Sequence, residues 1–418
     1  MGQKRKLTFI SRSDLRGGAA IVTYRLVEAL RAQGTDARML VCEKLSDSDF
    51  VERCAPGLMI NYAFLKERLE VFLHNGLDRK NLFKVDPASE GLPLHRHPWV
   101  KDADAIFLGW INQGMLSLDG IKRLAETGKP LVWIMHDMWN MTGICHHAGD
   151  CEGYLNNCGN CPLLGSRSGD GDMSRKIWER KKRLYDGCGI RFVAVSTWLA
   201  GKAGESSLMR DLDVSVIPNP FSLSAEETEC RTAHSDGRVR IAFGAARLDD
   251  PIKGLPVLKK ALEILKERHP EEASRMQLVT FGNVKNPGSL EGFHIGHIHL
   301  GVLKGQDAIR DAYRDCDIVV STSEFETLPG TLVEGQAYGC VPVAIDHGGQ
   351  SDIIEHMSTG WLAPWDDNLQ KRAEHVAEGL LWAYRHHDDE GLKERMRISV
   401  KKKFDAPEVA HRILEFVF

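Results

Sequence analysis

The sequence predicts an α/β fold made of two doubly wound parallel sheets. Apolar runs of about five residues alternate with amphipathic stretches of helical period, a pattern typical of parallel strands joined by helices. This pattern stops near residue 220 and then restarts. At 418 residues the chain also exceeds the length at which a single hydrophobic core stops growing. These observations together indicate two Rossmann-like domains.

Strands are predicted at the apolar runs. In the first half the runs are residues 7–11, 39–42, 105–110, 131–136, 192–196 and 214–219. In the second half they are residues 241–244, 278–282, 298–301, 318–321 and 341–345. Because helical stretches separate the runs, consecutive strands are expected to lie parallel in each sheet.

The linker between the halves is predicted just after Pro218-Asn219-Pro220. Proline cannot continue a central strand, and the polar segment 222–238 has no periodicity. We therefore assign residues 1–220 to a first domain and residues 221–403 to a second. Beyond Pro364 the pattern is helical to the end of the sequence, over residues 373–384, 394–403 and 406–418.

Composition and charge narrow the class of protein. Residues 1–220 carry 30 Lys and Arg against 26 Asp and Glu, a net charge of +4, and the remainder carries 24 against 32, a net charge of −8. This modest asymmetry argues against nucleic acid as the main partner and leaves room for anionic lipid near the first half. No apolar stretch fits a signal peptide or approaches the roughly 20 residues of a membrane span, so a cytoplasmic location is expected.

Two glutamates eight positions apart mark a candidate site in the second domain. The run 318–321 is followed by Glu326, then by Gly330 and Thr331, and then by Glu334. A helix that begins near Thr331 would present backbone amides to an anionic group at the carboxyl end of a buried strand. Carboxylates on both sides of such amides suit a nucleotide sugar, because one carboxylate can accept hydrogen bonds from the ribose hydroxyls and the other can contact the sugar. The alternative is two solvated acids at a helix start.

The segment 326–334, followed by residues 339–343 and Gly348-Gly349, resembles the E-x7-E region of retaining glycosyltransferases of family 4, which have the GT-B fold. The resemblance extends over nearly the whole chain. It implies two domains that face each other across a cleft and a terminal helix, residues 404–418, that packs back on the first domain. It also implies that Glu334 holds the ribose and that Glu326 orients the donor sugar.

Two cations follow the first strand of the second half. Arg247 and Lys253 come after the run 241–244, just before Gly254 opens an amphipathic helix. A guanidinium and an ammonium there can neutralise a leaving diphosphate without a metal ion. The alternative is a pair of surface cations on a loop. The resemblance assigns both to the donor diphosphate, although loop 248–252 is one residue longer than the family's usual spacing.

Glycines and a histidine follow strands of the first domain. Gly17 and Gly18 come after the first strand and open a helix, where glycine permits close approach of the backbone to an anion. The resemblance places this loop over the donor phosphates. His136 ends the run 131–136, and the resemblance gives it a catalytic contact with the donor sugar. The alternative for a lone histidine is a structural role.

Three further residues of the first domain are candidates for the acceptor side. Trp110 ends the run 105–110, Asn112 follows two residues later, and Asp137 follows His136. An indole ring can stack on an acceptor sugar, and the polar side chains can hydrogen-bond to its hydroxyls. A core tryptophan is the alternative for Trp110.

Four of the ten cysteines cluster in the loop 143–165. Cys145, Cys151, Cys158 and Cys161 have the spacing C-x5-C-x6-C-x2-C. In an intracellular protein such a set favours thiols or metal ligands over disulfides, and four thiolates suit one structural zinc ion. Free thiols or a redox disulfide are the alternatives. A similar loop occurs in the capsule and exopolysaccharide (colanic-acid-type) transferases that the chain resembles, where it shapes the acceptor side.

Residues 175–185 form a basic helix candidate with an apolar trace at Ile177, Trp178, Leu184 and Tyr185. Such a helix can rest on an anionic membrane surface, which would place the protein at the inner face of the membrane near a lipid-linked acceptor. A solvated, charged helix face is the alternative.

These features predict a glycosyltransferase of surface polysaccharide biosynthesis that needs no metal for catalysis. The donor would be a UDP-, GDP- or ADP-sugar, and the acceptor a saccharide or a lipid-linked saccharide. Two alternatives stay open. One is a nucleotide-sugar epimerase or hydrolase on the same fold, and the other is a non-catalytic subunit of a polysaccharide assembly complex.

Overall fold

A computed structural model describes residues 4–223 and 236–418. The chain divides into two compact units. The first comprises Met1–Pro220 with Ala406–Phe418, and the second comprises Phe221–Asp405. Each unit contains one parallel sheet with helices between its strands, so the predicted α/β class with two Rossmann-like domains is confirmed. Of the predicted linker 222–238, residues 224–235 lie outside the described ranges.

The first unit contains a seven-stranded sheet. Its strands are β1 (Lys6–Ser13), β2 (Asp36–Glu43), β3 (Val51–Arg53), β4 (Ala105–Leu108), β5 (Leu131–Met135), β6 (Arg191–Ala194) and β7 (Val214–Val216). The spatial order is β3-β2-β1-β4-β5-β6-β7, and every pair is parallel. Strand β3 was not predicted, because this edge strand has only three residues and two of them are exposed.

Helices connect these strands. They are α1 (Gly18–Ala32), α2 (Gly57–His74), α3 (Pro98–Asp102), α4 (Leu118–Ala125), α5 (Met173–Cys188) and α6 (Thr197–Glu205). The apolar residues of α1 recur at helical spacing, so Val22, Leu26 and Leu30 all lie on its buried face. The side chain of Asp172 caps the amino end of α5 by accepting hydrogen bonds from the amides of Ser174 and Arg175.

The second unit contains a six-stranded parallel sheet. Its strands are β8 (Val239–Arg247), β9 (Met276–Asn283), β10 (Gly296–His299), β11 (Ile318–Ser321), β12 (Val341–Asp346) and β13 (Trp361–Pro364), in the order β10-β9-β8-β11-β12-β13. The helices are α7 (Leu255–Arg268), α8 (Pro270–Arg275), α9 (Gly305–Arg314), α10 (Gly330–Ala337), α11 (Leu369–His386) and α12 (Glu390–Phe404). The edge strand β13 was not predicted, since its four-residue run ends in proline.

The last helix, α13 (Ala406–Val417), belongs to the first unit. It packs on α1, and the side-chain amide of Gln33 donates to the carbonyl of Pro407 at 2.6 Å. Arg191 on β6 donates to the carbonyl of Val417 at 3.1 Å. The chain therefore enters the second unit at Phe221 and leaves it after Asp405. In the described part of the chain, no helix combines the length and the apolar character needed to cross a membrane.

The strand order fixes where ligand sites are expected. It reverses between β1 and β4 in the first sheet and between β8 and β11 in the second. At such a switch point the loops leave the carboxyl ends of adjacent strands in opposite directions and open a crevice between them. Gly17 follows β1 and Trp110 follows β4, while Lys253 follows β8 and Glu326 follows β11. The main sequence candidates therefore lie at the two switch points.

Candidate functional site

Lys253 and Glu326 form an ion pair at the switch point of the second sheet. The Lys253 ammonium donates to Oε1 of Glu326 at 2.5 Å. Both side chains are partly shielded, with 26% and 20% of their surface exposed. The loop after β8 and the loop after β11 thus bring a cation and a carboxylate into direct contact, although 73 residues separate them in the sequence.

A tight turn places Lys253 against the end of β11. The Thr322 hydroxyl donates to the carbonyls of Lys253 and Gly254 at 3.1 and 3.0 Å, and the amide of Glu324 donates to the carbonyl of Ile252 at 2.8 Å. Gly254 has φ +66°, and a Cβ atom there would lie 1.9 Å from the Thr322 carbonyl oxygen. Only glycine fits this position, so the turn that presents Lys253 depends on it.

Gly348 and Gly349 hold the loop that carries Glu326. The amide of Gly349 donates to the carbonyl of Glu326 at 2.9 Å. A Cβ atom on Gly348 would lie 2.2 Å from the same oxygen, so the two backbones approach too closely for a side chain. The glycine pair that the sequence analysis used as part of the resemblance therefore fixes the position of Glu326.

Helix α10 begins four residues after Glu326 in the sequence. Its first residues are Gly330 and Thr331, and Pro329 at the N-cap position supplies no side-chain acceptor to the helix amides. The amino end of α10 consequently carries a partial positive charge that no side-chain cap offsets. Glu334 lies one turn further on and is partly buried. Burial raises the pKa of Tyr313 well above its usual range, and the charge of Glu334 raises it further.

Arg247 is held by acids of its own loop. Its Nη2 atom lies 2.7 Å from Oδ2 of Asp250, and its Nε atom lies 3.6 Å from Oδ1 of Asp249. Arg247 is the last residue of β8, and a register shift in the pairing with β9 precedes it. The structure thus gives Lys253 a partner from the E-x7-E segment and gives Arg247 two partners from the loop 248–252.

In the first unit, a cavity of about 530 Å³ opens at the switch point between β1 and β4. Gly17, Gly18 and Trp110 all line it. Arg12 and Arg16 add two cations, although Arg16 is paired with Glu43 at 2.8 Å. Gly17 is the N-cap residue of α1 and offers no side-chain cap, so amides and cations face the same cavity.

Asp137 organises the residues around Trp110. Its Oδ2 atom accepts hydrogen bonds from the Trp110 indole at 3.0 Å and from Nδ1 of His146 at 2.8 Å, and its Oδ1 atom accepts from the amide of Trp139 at 2.8 Å. Burial by itself would raise the pKa of Asp137, but the charge and hydrogen bond of His146 lower it to about 2. Asp137 is therefore an ionised carboxylate whose contacts orient the Trp110 ring.

His136 follows β5, as predicted. Burial lowers its pKa to about 4, and the charge of Asp137 offsets only part of this effect. The imidazole is therefore neutral at pH 7. Asn112 is buried, and its amide nitrogen has no hydrogen-bond partner among the described residues. Neither side chain lines the cavity at Gly17.

The four loop cysteines line one small cavity of about 20 Å³. All four are free thiols, and burial raises the pKa of Cys145 and Cys161 to about 12 and that of Cys158 to about 11. Within residues 4–223 and 236–418, however, no three Cys, His, Asp or Glu side chains are arranged to hold a metal ion. His146 within the loop is hydrogen-bonded to Asp137 instead. Zinc binding stays a prediction of the sequence.

The predicted basic helix 175–185 lies within α5, and three of its four apolar residues face inward, whereas Trp178 is half-buried. Ile177, Leu184 and Tyr185 are buried. Lys181 is also buried, and its ammonium donates to the carbonyls of Trp139 and Thr142 at 2.5 and 3.0 Å. These contacts leave mainly charged side chains on the outer face of α5, which favours the alternative of a solvated helix face.

Two polar groups near these sites were not predicted from the sequence. Arg12 directly follows the first apolar run, just as Arg247 follows the run 241–244, so its position at a strand end was a visible signal. The second group is an ion pair of 3.0 Å between Arg372 and Glu324, which brings α11 to the loop after β11. No signal in the sequence predicted that pair, since 48 residues separate its members.

Comparison with known proteins agrees with this architecture. Residues 239–381 match a family model described as "Glycosyl transferases group 1". The chain is similar to WcaC of Escherichia coli (strain K12), named as a colanic acid biosynthesis glycosyl transferase, with 24% identity over 269 residues that cover 61% of this chain and 62% of WcaC. It is also 27% identical to the amylovoran biosynthesis glycosyltransferase AmsK of Erwinia amylovora over 169 residues, 36% of this chain and 37% of AmsK.

The chain thus covers less than two thirds of either relative. Among solved structures, Anabaena Alr3699/HepE in complex with UDP and glucose has a TM-score of 0.58, with 16% identity and coverage of 99% of both chains. The second unit therefore carries the sequence pattern of group 1 glycosyl transferases, and the whole chain has the GT-B fold.

Proposed function

We propose that this protein is a retaining glycosyltransferase of the family 4 type, which moves a sugar from a nucleoside diphosphate sugar to a saccharide acceptor. The ion pair between Lys253 and Glu326 carries the proposal. It lies at the switch point where an α/β sheet binds ligands, and the loop of Glu326 leads into a helix whose first amides lack a side-chain cap.

The donor diphosphate is assigned to Lys253 and to the first amides of α10, at Gly330 and Thr331. An ammonium and a helix amino end both favour negative charge, and neither needs to reorganise when the charge grows. Glu334, one turn into the helix, is assigned to the ribose hydroxyls. Arg247 is a second cation for the diphosphate, and it would exchange its contact with Asp250 for the ligand.

The proposed reaction is a substitution at the anomeric carbon. The bond from that carbon to the phosphate oxygen breaks, and its electron pair stays on the leaving diphosphate. The acceptor hydroxyl oxygen forms the new bond on the same face of the sugar, and its proton passes to the leaving phosphate oxygen. Lys253 stabilises the charge that develops on the diphosphate, so the proposed reaction requires no divalent ion. Glu326 and His136 are assigned to the donor sugar.

The acceptor side is assigned to the first unit. Gly17 and Gly18 keep their assignment to the donor phosphates, and the cavity that they share with Trp110 has room for an acceptor sugar beside them. Trp110 supplies an aromatic face whose indole nitrogen is fixed by Asp137. Asn112 lies near the end of the same strand. Relatives named for colanic acid and amylovoran biosynthesis support a surface polysaccharide as the product class.

A donor screen tests this function. The purified chain is incubated with UDP-, GDP- and ADP-sugars, with and without saccharide acceptors, and release of nucleoside diphosphate and formation of product are measured. UDP-sugars come first, because UDP occupies the similar structure of HepE. We expect release that depends on acceptor and an α- or β-linkage identical to that of the donor.

Other outcomes would separate the alternatives. Release or epimerisation of the sugar with donor alone would favour the epimerase or hydrolase. Unchanged polysaccharide output in cells that carry Glu326→Ala would favour a non-catalytic subunit. An inverted linkage would refute the retaining mechanism.

A further inference from the structure

Helix α2 of the first unit is apolar on its exposed side. Five large side chains recur along one face at intervals of three or four residues, and each is between 53% and 86% exposed. They are Leu58, Tyr62, Leu65, Leu69 and Leu73. Scattered exposed leucines are ordinary, but a continuous apolar stripe over about four helical turns is typical of a surface that binds a partner or a membrane.

Polar contacts on the opposite face fix the rotation of α2. Glu67 and Arg68 are buried there. The Nη2 atom of Arg68 lies 3.0 Å from Oε1 of Glu67 and 3.1 Å from Oδ2 of the buried Asp86. The same guanidinium donates to the carbonyls of Leu82 and Val85 at 2.6 and 3.1 Å. Turning the stripe inward would move Arg68 out to solvent and leave the buried Asp86 without its cation, so the leucines remain on the outside.

The loop after α2 extends the apolar surface and adds positive charge. Leu77 and Phe83 are each 58% exposed, and Phe83 stacks on Phe64 of α2 with ring centroids 6.5 Å apart. Between and beside them are three exposed cations, Arg79, Lys80 and Lys84. None of the three forms an ion pair within the described residues, and Asp78 is the only acid between Leu77 and Lys84.

We infer that the outer face of α2 and the loop 77–84 form a docking surface for an anionic lipid bilayer. The leucine stripe enters the boundary between headgroups and acyl chains, and Arg79, Lys80 and Lys84 contact the anionic headgroups. A second copy of this chain fits less well, because a two-fold dimer brings the same patch of each copy together and opposes like charges.

Vesicle binding by the full chain tests the inference. We measure co-sedimentation with vesicles of phosphatidylcholine and with vesicles that also contain phosphatidylglycerol. Binding is expected to the anionic vesicles and to weaken as salt is added. Lys80→Gln with Lys84→Gln is expected to lower the partition coefficient about 30-fold, from about 1 kcal/mol per basic residue. Leu65→Gln with Leu69→Gln is expected to lower it at least about tenfold.

A matched control uses exposed apolar residues of the second unit. Leu300→Gln with Val302→Gln replaces side chains that are 43% and 60% exposed, and this variant is expected to bind like the wild type. Because the α2 leucines are already in water, their replacement should leave the thermal midpoint unchanged. If the first leucine variant does not fold, Leu58→Gln with Tyr62→Gln repeats the test.

Three results would overturn the inference. They are no binding of the wild type to anionic vesicles, equal loss in the control variant, and a wild-type dimer that Leu65→Gln with Leu69→Gln converts to a monomer. Vesicle binding requires neither donor nor acceptor. Its outcome is therefore independent of whether the proposed transferase activity is correct.

Discussion

The contact between Lys253 and Glu326 predicts that binding and turnover respond in opposite directions to one substitution. In the free protein Oε1 of Glu326 lies 2.5 Å from Nζ of Lys253, so it is paired with the ammonium that the diphosphate is proposed to contact. Glu326→Gln removes this competitor and removes a negative charge near the ligand. We therefore expect the variant to bind nucleoside diphosphate more tightly while it transfers sugar more slowly.

The size of the effect follows from the geometry. Two unit charges at this distance attract by several kcal/mol at an effective dielectric constant of about 20, but solvation of the partly exposed groups offsets most of that energy. A net contribution of about 1–2 kcal/mol corresponds to a dissociation constant about 5- to 30-fold lower in Glu326→Gln. Loss of a group that acts on the donor sugar should reduce kcat by about 100-fold or more.

Lys253→Met is the complementary change. It removes a charge-assisted hydrogen bond to the diphosphate and leaves Glu326 without its cation, so binding should weaken by about 100-fold. The pair Lys260 and Glu263 on α7 offers a matched control, since its atoms are 3.0 Å apart and its side chains are similarly shielded. Lys260→Met and Glu263→Gln should leave both binding and kcat unchanged.

Isothermal titration calorimetry with the nucleoside diphosphate of the active donor measures the binding, and product formation measures kcat. Thermal unfolding of each variant checks that the fold is retained. If Glu326→Gln instead weakens nucleoside diphosphate binding as Lys253→Met does, the glutamate is a direct part of the diphosphate site and not a competitor for Lys253, which contradicts the prediction.

Three further predictions concern the turn, the histidine and the cysteines. Gly254→Ala should destabilise the protein by at least about 2 kcal/mol and reduce activity, because the new Cβ atom would clash with Thr322 and the residue has a positive φ. Gly201→Ala in α6 should stabilise the protein slightly, because no atom lies within 4 Å of its new Cβ atom. Chemical denaturation measures the free energy of unfolding of both variants. Because burial lowers the pKa of His136 to about 4, the unfolded chain binds more protons than the folded one below pH 6.5, so stability should fall as the pH falls from 6.5 to 4. The free energy of unfolding should fall by about 3 kcal/mol over this range, and this fall should be absent in His136→Gln. Equal slopes of unfolding free energy against pH in the wild type and in His136→Gln would contradict this prediction. If the cysteine loop holds zinc, metal analysis should find about one zinc per chain in the wild type and none in Cys158→Ser with Cys161→Ser, and a metal-free wild type would exclude the site.

Much of the fold follows from local sequence. Buried parallel strands need apolar side chains on both faces, and such runs are visible without any partner, as at residues 318–321 and 341–345. The missed strands, β3 and β13, lie at sheet edges, where exposure removes that signal. The cations and carboxylates at strand ends were equally visible, because parallel strands place their carboxyl ends at one edge of a sheet.

The partners of these side chains were not visible. Lys253 was predicted for a diphosphate and Glu326 for a sugar, and their contact depends on the adjacency of β8 and β11, which are not consecutive in the sequence. Likewise, the residue type of Asp137 gave no sign that it binds both Trp110 and His146. Such pairings result from the strand order, which local patterns do not encode.

The α/β class, the positions of most strands and the charged residues at the strand ends can be predicted from the sequence alone, because hydrophobic period and turn residues are local signals of a few positions. Which charges meet and which helix faces stay exposed depends on the folded chain. Helix α2 illustrates the reason: its leucines suggest a buried face, but the network of Arg68 with Glu67 and Asp86 holds the helix with that face outward. The orientation of a helix depends on the groups packed against it, and those come from distant parts of the chain.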